Sequence, residues 1–414
     1  MTKQTSLETI TIEGMAYGGD GFGRSADGKM LFVPHTAPGD TITCEPLEEH
    51  ARWAKAALVD VLEPASERTT PRCPHYGECG GCHYQHLTYP AQLAIKTDIV
   101  RSQLRRIGNI PEPPVLAAIP SSTPWHTRNQ LQFHQDAEGR LGYHRTGSNQ
   151  VLPVETCLLP QDVIAELWPR LELDPLPGVK RIAIRADSDE NAMIVFHSRT
   201  PADVEMHMDA PASVAWVSSR GTQILGGEDR LRYRVRERDF LVSPASFFQA
   251  NSNMIETLVA QVFSLLNLQP GETLFDLYAG VGLFSAFAAE AGAIVVAVES
   301  SPAAAEDFAL NLDEFDTVSL YQANTALALS EIPGRADAFV LDPPRAGMSR
   351  EARQALINLS PPRMVYISCD TATFARDARR LIEAGYALRS VQPLDLFPQT
   401  FHIEQISYWE KSEG

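Results

Sequence analysis

The second half of the chain alternates between strand-like and helix-like segments, and this alternation limits the fold more than any other feature. After Asn251, short apolar runs such as residues 273–278 and 293–298 are separated by segments long enough for helices. Strands that alternate with helices form a parallel sheet with helices on its faces. The pattern therefore predicts a doubly wound sheet, which binds ligands beyond the carboxyl ends of its strands.

The rest of the chain predicts further domains, since 414 residues with 44% hydrophobic content exceed one ordinary core. Residues 1–63 contain short strands broken by glycine turns, a pattern typical of a small closed barrel. Residues 89–110 have helical periodicity and are followed by prolines at 111, 113 and 114. Residues 117–240 are mixed and mostly β. The predicted fold class is α/β multidomain.

Charge and hydropathy narrow the function and location. A net charge of −17 argues against a general nucleic-acid binder. Residues 64–150, however, carry nine basic and six acidic side chains, an excess of three that allows a local basic face. No apolar run suits export or membrane crossing. We therefore expect a cytoplasmic protein that does not act at membranes.

A cysteine cluster with spacing C-x5-C-x2-C is formed by Cys73, Cys79 and Cys82, and Gly80 and Gly81 let the backbone turn tightly within it. In a cytoplasmic chain such thiols are typical of a metal site rather than of disulfides. A fourth ligand is needed, and Cys157 is available. The spacing alone leaves two alternatives, an iron–sulfur cluster or a zinc site, the latter with a nearby histidine from the set His75, His83 and His86.

A glycine turn follows the first strand of the α/β region. Residues 279–282 read Ala-Gly-Val-Gly, and such glycines let a ligand approach the backbone. The next strand ends in Glu299, where an acid can accept hydrogen bonds from ribose hydroxyls. The turn lacks the full G-x-G-x-x-G pattern of dinucleotide sites. A nucleotide-like cofactor other than NAD is predicted.

Together, the motifs at residues 275–282, 341–347 and 364–370, with Glu404 downstream, resemble the RNA uracil-5-methyltransferase family. The cysteine spacing resembles that of its iron–sulfur branch, which usually modifies 23S rRNA. The resemblance implies an N-terminal TRAM or OB-like RNA-binding barrel at 1–63. It also implies a central iron–sulfur and RNA-binding domain at 64–88 and 117–245. The Rossmann-like class I methyltransferase domain would then comprise 89–116 and 246–414.

The same resemblance implies the cofactors and their ligands. S-adenosylmethionine would contact five residues, namely Gln249, Tyr278, Glu299, Asn324 and Asp342. A 4Fe–4S cluster would be held by Cys73, Cys79, Cys82 and Cys157. From the residue alone, Asn324 is equally well interpreted as a loop asparagine that caps a turn. The expected partner is RNA, and the expected state is a monomer.

The implied catalytic pair is Cys369 and Glu404. Carbon 5 of uracil is a poor nucleophile, so a thiolate must first add to carbon 6 and raise its electron density. A base must then remove the carbon-5 proton. The resemblance assigns these roles to Cys369 and Glu404. Two departures from the family pattern are Asp370, where asparagine is usual, and Ala279, where cysteine is frequent; a carboxylate beside Cys369 would disfavour its thiolate.

Three other functions are weighed against this one. The same chemistry could act on tRNA instead of 23S rRNA. An amino-group methyltransferase normally has an aromatic residue after its N/D-P-P motif, whereas Arg345 stands there. A non-catalytic iron–sulfur RNA-binding protein would have no use for a thiol, an acid and a cofactor turn together.

A last sequence feature is an alternating row of arginines between residues 230 and 238, made up of Arg230, Arg232, Arg234, Arg236 and Arg238. On one strand all five would share a face and could contact an RNA backbone. The alternative is a solvated face paired with neighbouring acids.

Overall fold

The N-terminal part is a closed barrel of five strands in the order β1-β2-β3-β5-β4. The computed structural model describes residues 7–202, 211–332 and 334–412. Alternate side chains, including Ile10, Leu31 and Ile42, fill the barrel interior because successive strand residues face opposite sides. The predicted barrel is confirmed. Its strands are β1 (Glu8–Met15), β2 (Gly21–Arg24), β3 (Met30–Val33), β4 (Thr41–Glu49) and β5 (Trp53–Glu63).

The central part is mostly β, as the sequence predicts. A seven-stranded sheet has the order β12-β11-β10-β9-β6-β7-β8, and β13 and β14 form a separate hairpin. The strands are β6 (Gln130–Gln135), β7 (Leu141–His144), β8 (Val151–Pro153), β9 (Val179–Ala186), β10 (Ala192–Ser198), β11 (Ala212–Ser218), β12 (Gly221–Gly226), β13 (Leu231–Val235) and β14 (Arg238–Val242). The helices before and within this part are α1 (Tyr89–Arg106), α2 (Asp162–Leu167) and a short 3-10 turn, Trp168–Arg170.

The C-terminal part is a seven-stranded sheet of order β17-β16-β15-β18-β19-β21-β20, in which the first five strands are parallel. Two antiparallel strands complete it, and β21 lies between β19 and β20. The predicted doubly wound sheet is confirmed. Its strands are β15 (Thr273–Leu277), β16 (Ile294–Glu299), β17 (Val318–Gln322), β18 (Ala338–Leu341), β19 (Arg363–Ser368), β20 (Tyr386–Leu394) and β21 (Glu404–Lys411). Its helices are α3 (Ser252–Leu266), α4 (Leu283–Glu290), α5 (Pro302–Asn311), α6 (Thr325–Glu331), α7 (Arg350–Leu359) and α8 (Thr371–Glu383).

Helix α1 packs against α8 and β20, so it contributes to the C-terminal part although it precedes the central sheet. The grouping of residues 89–116 with 246–414 as one domain stays a prediction. The helix ends at Arg106, however, and not at Ile110 beside the prolines. Gly108 follows, and Asn109 adopts a left-handed φ of 55° that a helix does not tolerate. Ile107, predicted to lie on the apolar side, is 39% exposed.

The arginine row does not lie on one strand, which corrects the sequence interpretation. Residues 236–237 form the turn between β13 and β14, and Arg236 has a φ of 55°. Arg234 donates to Asp239 across the hairpin at 2.8 Å, and Arg238 contacts Glu314 at 2.7 Å. Arg230 contacts Asp307 at 2.9 Å. The contacts therefore favour the alternative of arginines paired with neighbouring acids.

Of the helices in the described ranges, none combines the length and hydropathy that a membrane crossing requires.

Candidate active site

The residues predicted to contact the cofactor lie at the carboxyl ends of adjacent parallel strands. Tyr278 follows β15, Glu299 ends β16, Asp342 follows β18, and Asn324 comes two residues after β17. Because β17, β16, β15 and β18 are neighbours in that order, the four side chains form one row at the edge where such sheets bind ligands. The fifth, Gln249, comes from the loop after β14, and its amide lies 3.5 Å from the Asp342 carboxylate.

The Glu299 carboxylate accepts hydrogen bonds from two backbone N–H groups, one of which belongs to the glycine turn. The N–H of Gly280 donates to Glu299 Oε2 at 2.9 Å, and the N–H of Ser301 donates to Oε1 at 2.6 Å. Gly280 has a φ of 57° and Gly282 of 94°, in the left-handed region that favours glycine. Each carboxylate oxygen can accept more than one hydrogen bond, so Glu299 keeps capacity for two hydroxyl groups.

Asn324 has the capping role that the residue alone allowed. Its side-chain oxygen accepts from the N–H of Ala326 at 3.0 Å and caps α6. Contact with a cofactor stays a prediction for this residue.

Two buried carboxyl groups near the glycine turn have raised pKa values. Burial raises the pKa of Asp276 to about 7, although Ser285 donates to it at 2.6 Å. Burial likewise raises the pKa of Asp342 to about 7. The sequence interpretation did not single out Asp276, although its place one residue before the strand end was available as a signal.

Strand register places the predicted catalytic pair face to face. In the antiparallel pairing of β19 with β21, Ser368 lies opposite Gln405. Cys369 follows Ser368 and Glu404 precedes Gln405, so these two continue the same register. Glu404 is 4% exposed, and Cys369 is partly exposed, as a nucleophile that must reach a substrate requires. The thiol therefore lies beside a buried acid at the carboxyl end of β19.

The charges around the pair disfavour a free thiolate. Burial, Glu404 and Asp342 raise the pKa of Cys369 to about 12, while Arg345 lowers it. The sequence interpretation placed the opposing charge on Asp370, whereas the structure places the largest opposing charges on Glu404 and Asp342. Burial and Asp342 also raise the pKa of Glu404 well above its usual range. The site can thus hold a proton on an acid next to the thiol.

Helix α1 fixes the loop that leads to Glu404. The Lys96 ammonium is buried and lies 2.5 Å from Asp395 and 2.9 Å from the carbonyl of Phe397. Gln92 exchanges hydrogen bonds with Gln399, donating through its Nε2 at 3.0 Å and accepting from the N–H at 3.0 Å. Because buried polar groups are costly to leave unpaired, these contacts define one loop conformation.

The four cysteines predicted to hold a cluster line a single cavity. Cys73, Cys79, Cys82 and Cys157 surround it together with His75, Arg128 and Tyr143. Burial raises the pKa of Cys79 to about 11 and that of Cys82 to about 12, so the thiols are neutral without a bound cation. All six cysteines of the chain are free.

The structure does not bring these cysteines together as a site for a single ion. In the described part of the chain, no three His, Cys, Asp or Glu side chains lie close enough together to hold a single ion. A 4Fe–4S cluster binds each cysteine to a different iron and needs sulfurs spread around a larger volume. The four cysteines line one cavity, and the 4Fe–4S cluster stays a prediction. Of the histidines weighed as ligands, His75 lines the cavity, whereas His86 contacts Thr36 and His83 packs on Phe401.

Comparisons with known proteins agree with this architecture. Residues 3–59 match the TRAM domain model, and residues 327–412 match the model described as tRNA (Uracil-5-)-methyltransferase. A Streptomyces coelicolor protein named as an RNA methyltransferase is 33% identical over 97% of this chain and 92% of its own length. The chain belongs to the RNA uracil-5-methyltransferase family. A further RNA methyltransferase, from Aquifex aeolicus, is 33% identical over 97% of this chain and 98% of its own length.

Two members of the RNA uracil-5-methyltransferase family have named substrates. The Shewanella halifaxensis 23S rRNA (uracil(1939)-C(5))-methyltransferase RlmD is 28% identical over 93% of this chain and 91% of its own length. The crystal structure of Pyrococcus abyssi tRNA (uracil-54, C5)-methyltransferase with S-adenosyl-L-homocysteine has a TM-score of 0.74 at 25% identity, and it covers 97% of this chain and 100% of its own. The class I methyltransferase fold is thereby shown for this member of the family.

Two contacts near Cys369 are absent from the sequence interpretation. Arg345, considered there only as a departure from amino-group methyltransferases, lies 2.8 Å from His402 Nδ1 and holds a positive charge near the thiol. Tyr17 of the barrel reaches Asp370. Neither pair is close in sequence, so no local pattern could have indicated it.

Proposed function

We propose that this RNA uracil-5-methyltransferase transfers a methyl group from S-adenosylmethionine to carbon 5 of one uridine in 23S rRNA. The observation that carries the proposal is the β19–β21 register, which sets Cys369 opposite Glu404. The pair lies beside the row of strand-end side chains that would bind the methyl donor. A thiol, a base and a donor site at one sheet edge are what carbon-5 methylation needs.

The proposed chemistry begins at the thiol. Cys369 loses its proton to the ionised Asp342 carboxylate, and its sulfur forms a bond to carbon 6 while the carbon 5–carbon 6 double bond opens and the ring electrons move into an enolate. S-adenosylmethionine, when bound, would supply an electrophilic methyl group: its sulfur–methyl bond would break as carbon 5 forms the new bond, and S-adenosyl-L-homocysteine would be left. The ionised form of Glu404 removes the proton from carbon 5 and later releases it to solvent. The carbon 5–carbon 6 double bond returns, and the Cys369 sulfur leaves as the thiolate and takes back the proton held by Asp342. The raised pKa of Glu404 makes its ionised form a stronger base than an ordinary carboxylate and lowers the fraction that is ionised at neutral pH.

The remaining residues have binding roles in this proposal. Glu299 would accept from the ribose hydroxyls, Tyr278 and Gln249 would line the donor pocket, and Asp342 would orient the uracil or the donor. Asn324 would contribute from the end of β17 while it caps α6. The TRAM barrel would contact the RNA around the target nucleotide, and the enzyme would act as a cytoplasmic monomer.

The choice of 23S rRNA over tRNA rests on the cysteine set, which resembles the iron–sulfur branch that usually acts on ribosomal RNA. The named Shewanella relative acts on 23S rRNA, whereas the named Pyrococcus structure acts on tRNA. Purified enzyme should therefore methylate 23S rRNA from a strain that lacks the gene, and mass spectrometry should locate 5-methyluridine at one position. If the enzyme methylated only tRNA, the proposal of 23S rRNA as its substrate would be wrong. If it methylated neither RNA, the proposed methyltransferase activity would be wrong.

We propose in addition that Cys73, Cys79, Cys82 and Cys157 hold a 4Fe–4S cluster, since all four line one cavity. A closed set of four thiolates fits a structural or RNA-shaping role.

Anaerobically purified protein should be brown and contain about four iron and four sulfide per chain. Cys157→Ala should lose most of the iron, because one of the four thiolates is gone. Cys44→Ala is the matched control, since Cys44 lies in the barrel core and should leave the iron content unchanged. One zinc and no iron in the unaltered protein would contradict the cluster.

A further inference from the structure

A tyrosine of the barrel reaches the residue next to the proposed nucleophile. Tyr17 lies between β1 and β2, and its hydroxyl donates to Asp370 Oδ2 at 2.8 Å. Its ring also meets the ring of Phe401 edge-on, with centroids 6.2 Å apart. Phe401 belongs to the loop that leads to Glu404. One barrel residue therefore contacts both chain segments that carry the catalytic pair.

The carboxylate of Asp370 is divided between two partners. Its Oδ1 accepts from the N–H of Thr373 at 2.9 Å and caps α8, which is a common role for aspartate at a helix start. The helix leaves Oδ2 without a donor from its own first turn, and Tyr17 supplies that donor. Capping alone does not explain the second contact, because the N-cap role needs one oxygen only.

Acidic groups outnumber basic ones near the Cys369 thiol. Glu404 and Asp342 already oppose its ionisation, and Arg345 alone among the nearest charged groups favours it. Asp370 is joined to Cys369 by a peptide bond, so the position of its Oδ2 affects how much negative charge lies near the thiol. The Tyr17 phenol remains protonated at neutral pH, because burial and Asp370 raise its pKa above the ordinary range. It is therefore a permanent donor.

We propose that Tyr17 is a positioning residue that binds the Asp370 carboxylate on the barrel side and thereby limits its effect on Cys369. The inference rests on the proposed role of Cys369. It makes the reactivity of the thiol depend on the docked barrel, which is also the domain expected to bind RNA. The TRAM barrel is then part of the catalytic environment and not only an RNA-binding attachment.

The test measures the alkylation rate of Cys369 by iodoacetamide between pH 7 and 9.5, with mass spectrometry of the peptide that contains it. Tyr17→Phe keeps the ring contact with Phe401 and removes only the hydroxyl. The freed carboxylate should raise the thiol pKa, and alkylation should slow roughly threefold for each pKa unit, because a more basic thiolate is also more nucleophilic. Tyr17→Phe with Asp370→Asn should restore the rate, since asparagine still caps α8 but carries no charge.

The matched control is Tyr408→Phe, which removes another hydroxyl–carboxylate contact, with Glu410 at 3.0 Å. It should leave the rate unchanged. An unaltered rate in Tyr17→Phe, or a double variant as slow as Tyr17→Phe, would overturn the inference. The assay uses neither RNA nor methyl donor, so a failure here is distinguishable from a failure of the proposed function, which the methylation assay reports.

Discussion

Cys369→Ala should lower the rate of methyl transfer to RNA by at least about a thousandfold, a loss typical of a missing nucleophile. Without the thiol, carbon 5 of the uracil is not activated, and binding of the methyl donor cannot compensate. The variant should still bind S-adenosylmethionine, because the strand-end row at Tyr278, Glu299 and Asp342 is unchanged. Equilibrium dialysis with labelled donor and a methylation time course measure these two properties separately.

The covalent step can be observed directly with RNA that contains 5-fluorouridine. Fluorine replaces the removable proton, so the unaltered enzyme should remain attached to the RNA on a denaturing gel. Cys369→Ala should give no such band, whereas the barrel-core control Cys44→Ala should give a normal one. A denaturation-resistant complex with Cys369→Ala would assign the nucleophile to another residue.

Glu404→Gln should separate methyl transfer from product release. The thiol can still add to carbon 6, but the carbon-5 proton has no base, so the methylated adduct should accumulate with ordinary RNA. Turnover should fall by about 10²–10⁴, the usual contribution of a general base. A single-turnover experiment should therefore show a covalent complex that the unaltered enzyme does not accumulate.

The same substitution lowers turnover, but in the free enzyme it should make the Cys369 thiol more reactive. Glu404 is, after burial, the largest influence that raises the pKa of Cys369. At alkaline pH, where Glu404 is ionised, Glu404→Gln should therefore lower the thiol pKa and increase alkylation of Cys369 by iodoacetamide without RNA. Glu410→Gln, an acid on the same strand that pairs with Arg389, is the matched control for both readouts. Normal turnover by Glu404→Gln would exclude it as the base.

The sequence alone predicts the features that depend on local pattern. The alternation of strands and helices predicts the parallel sheet, and parallel strands must align their carboxyl ends. Tyr278, Glu299 and Asp342 therefore become neighbours as soon as the strand order is known. The glycine turns of residues 1–63 similarly predict the barrel, because short strands with tight turns leave few other closed arrangements.

Features that depend on turns or on distant chain segments could not be predicted in this way. The five arginines have perfect two-residue alternation, yet the turn at Arg236 leaves only Arg232 and Arg234 on β13 and Arg238 on β14. Lysine in a helix is usually exposed to solvent. Lys96 is instead buried, because it pairs with Asp395, about three hundred residues away in the chain. The Tyr17–Asp370 contact joins residues 353 positions apart in the chain. Hydrophobic periodicity is a local pattern and cannot predict a contact between such distant residues.

The strand order has a consequence for how the enzyme is made. β21 follows β20 in the chain, yet it lies between β19 and β20 in the sheet. During synthesis, both neighbours therefore exist with open edges before β21 can insert, and open edges are prone to pair with other chains. Insertion of β21 closes both edges and brings Glu404 to Cys369 in one step. On the proposed role of Glu404, a chain that has not yet completed its sheet also lacks the base that would release the RNA.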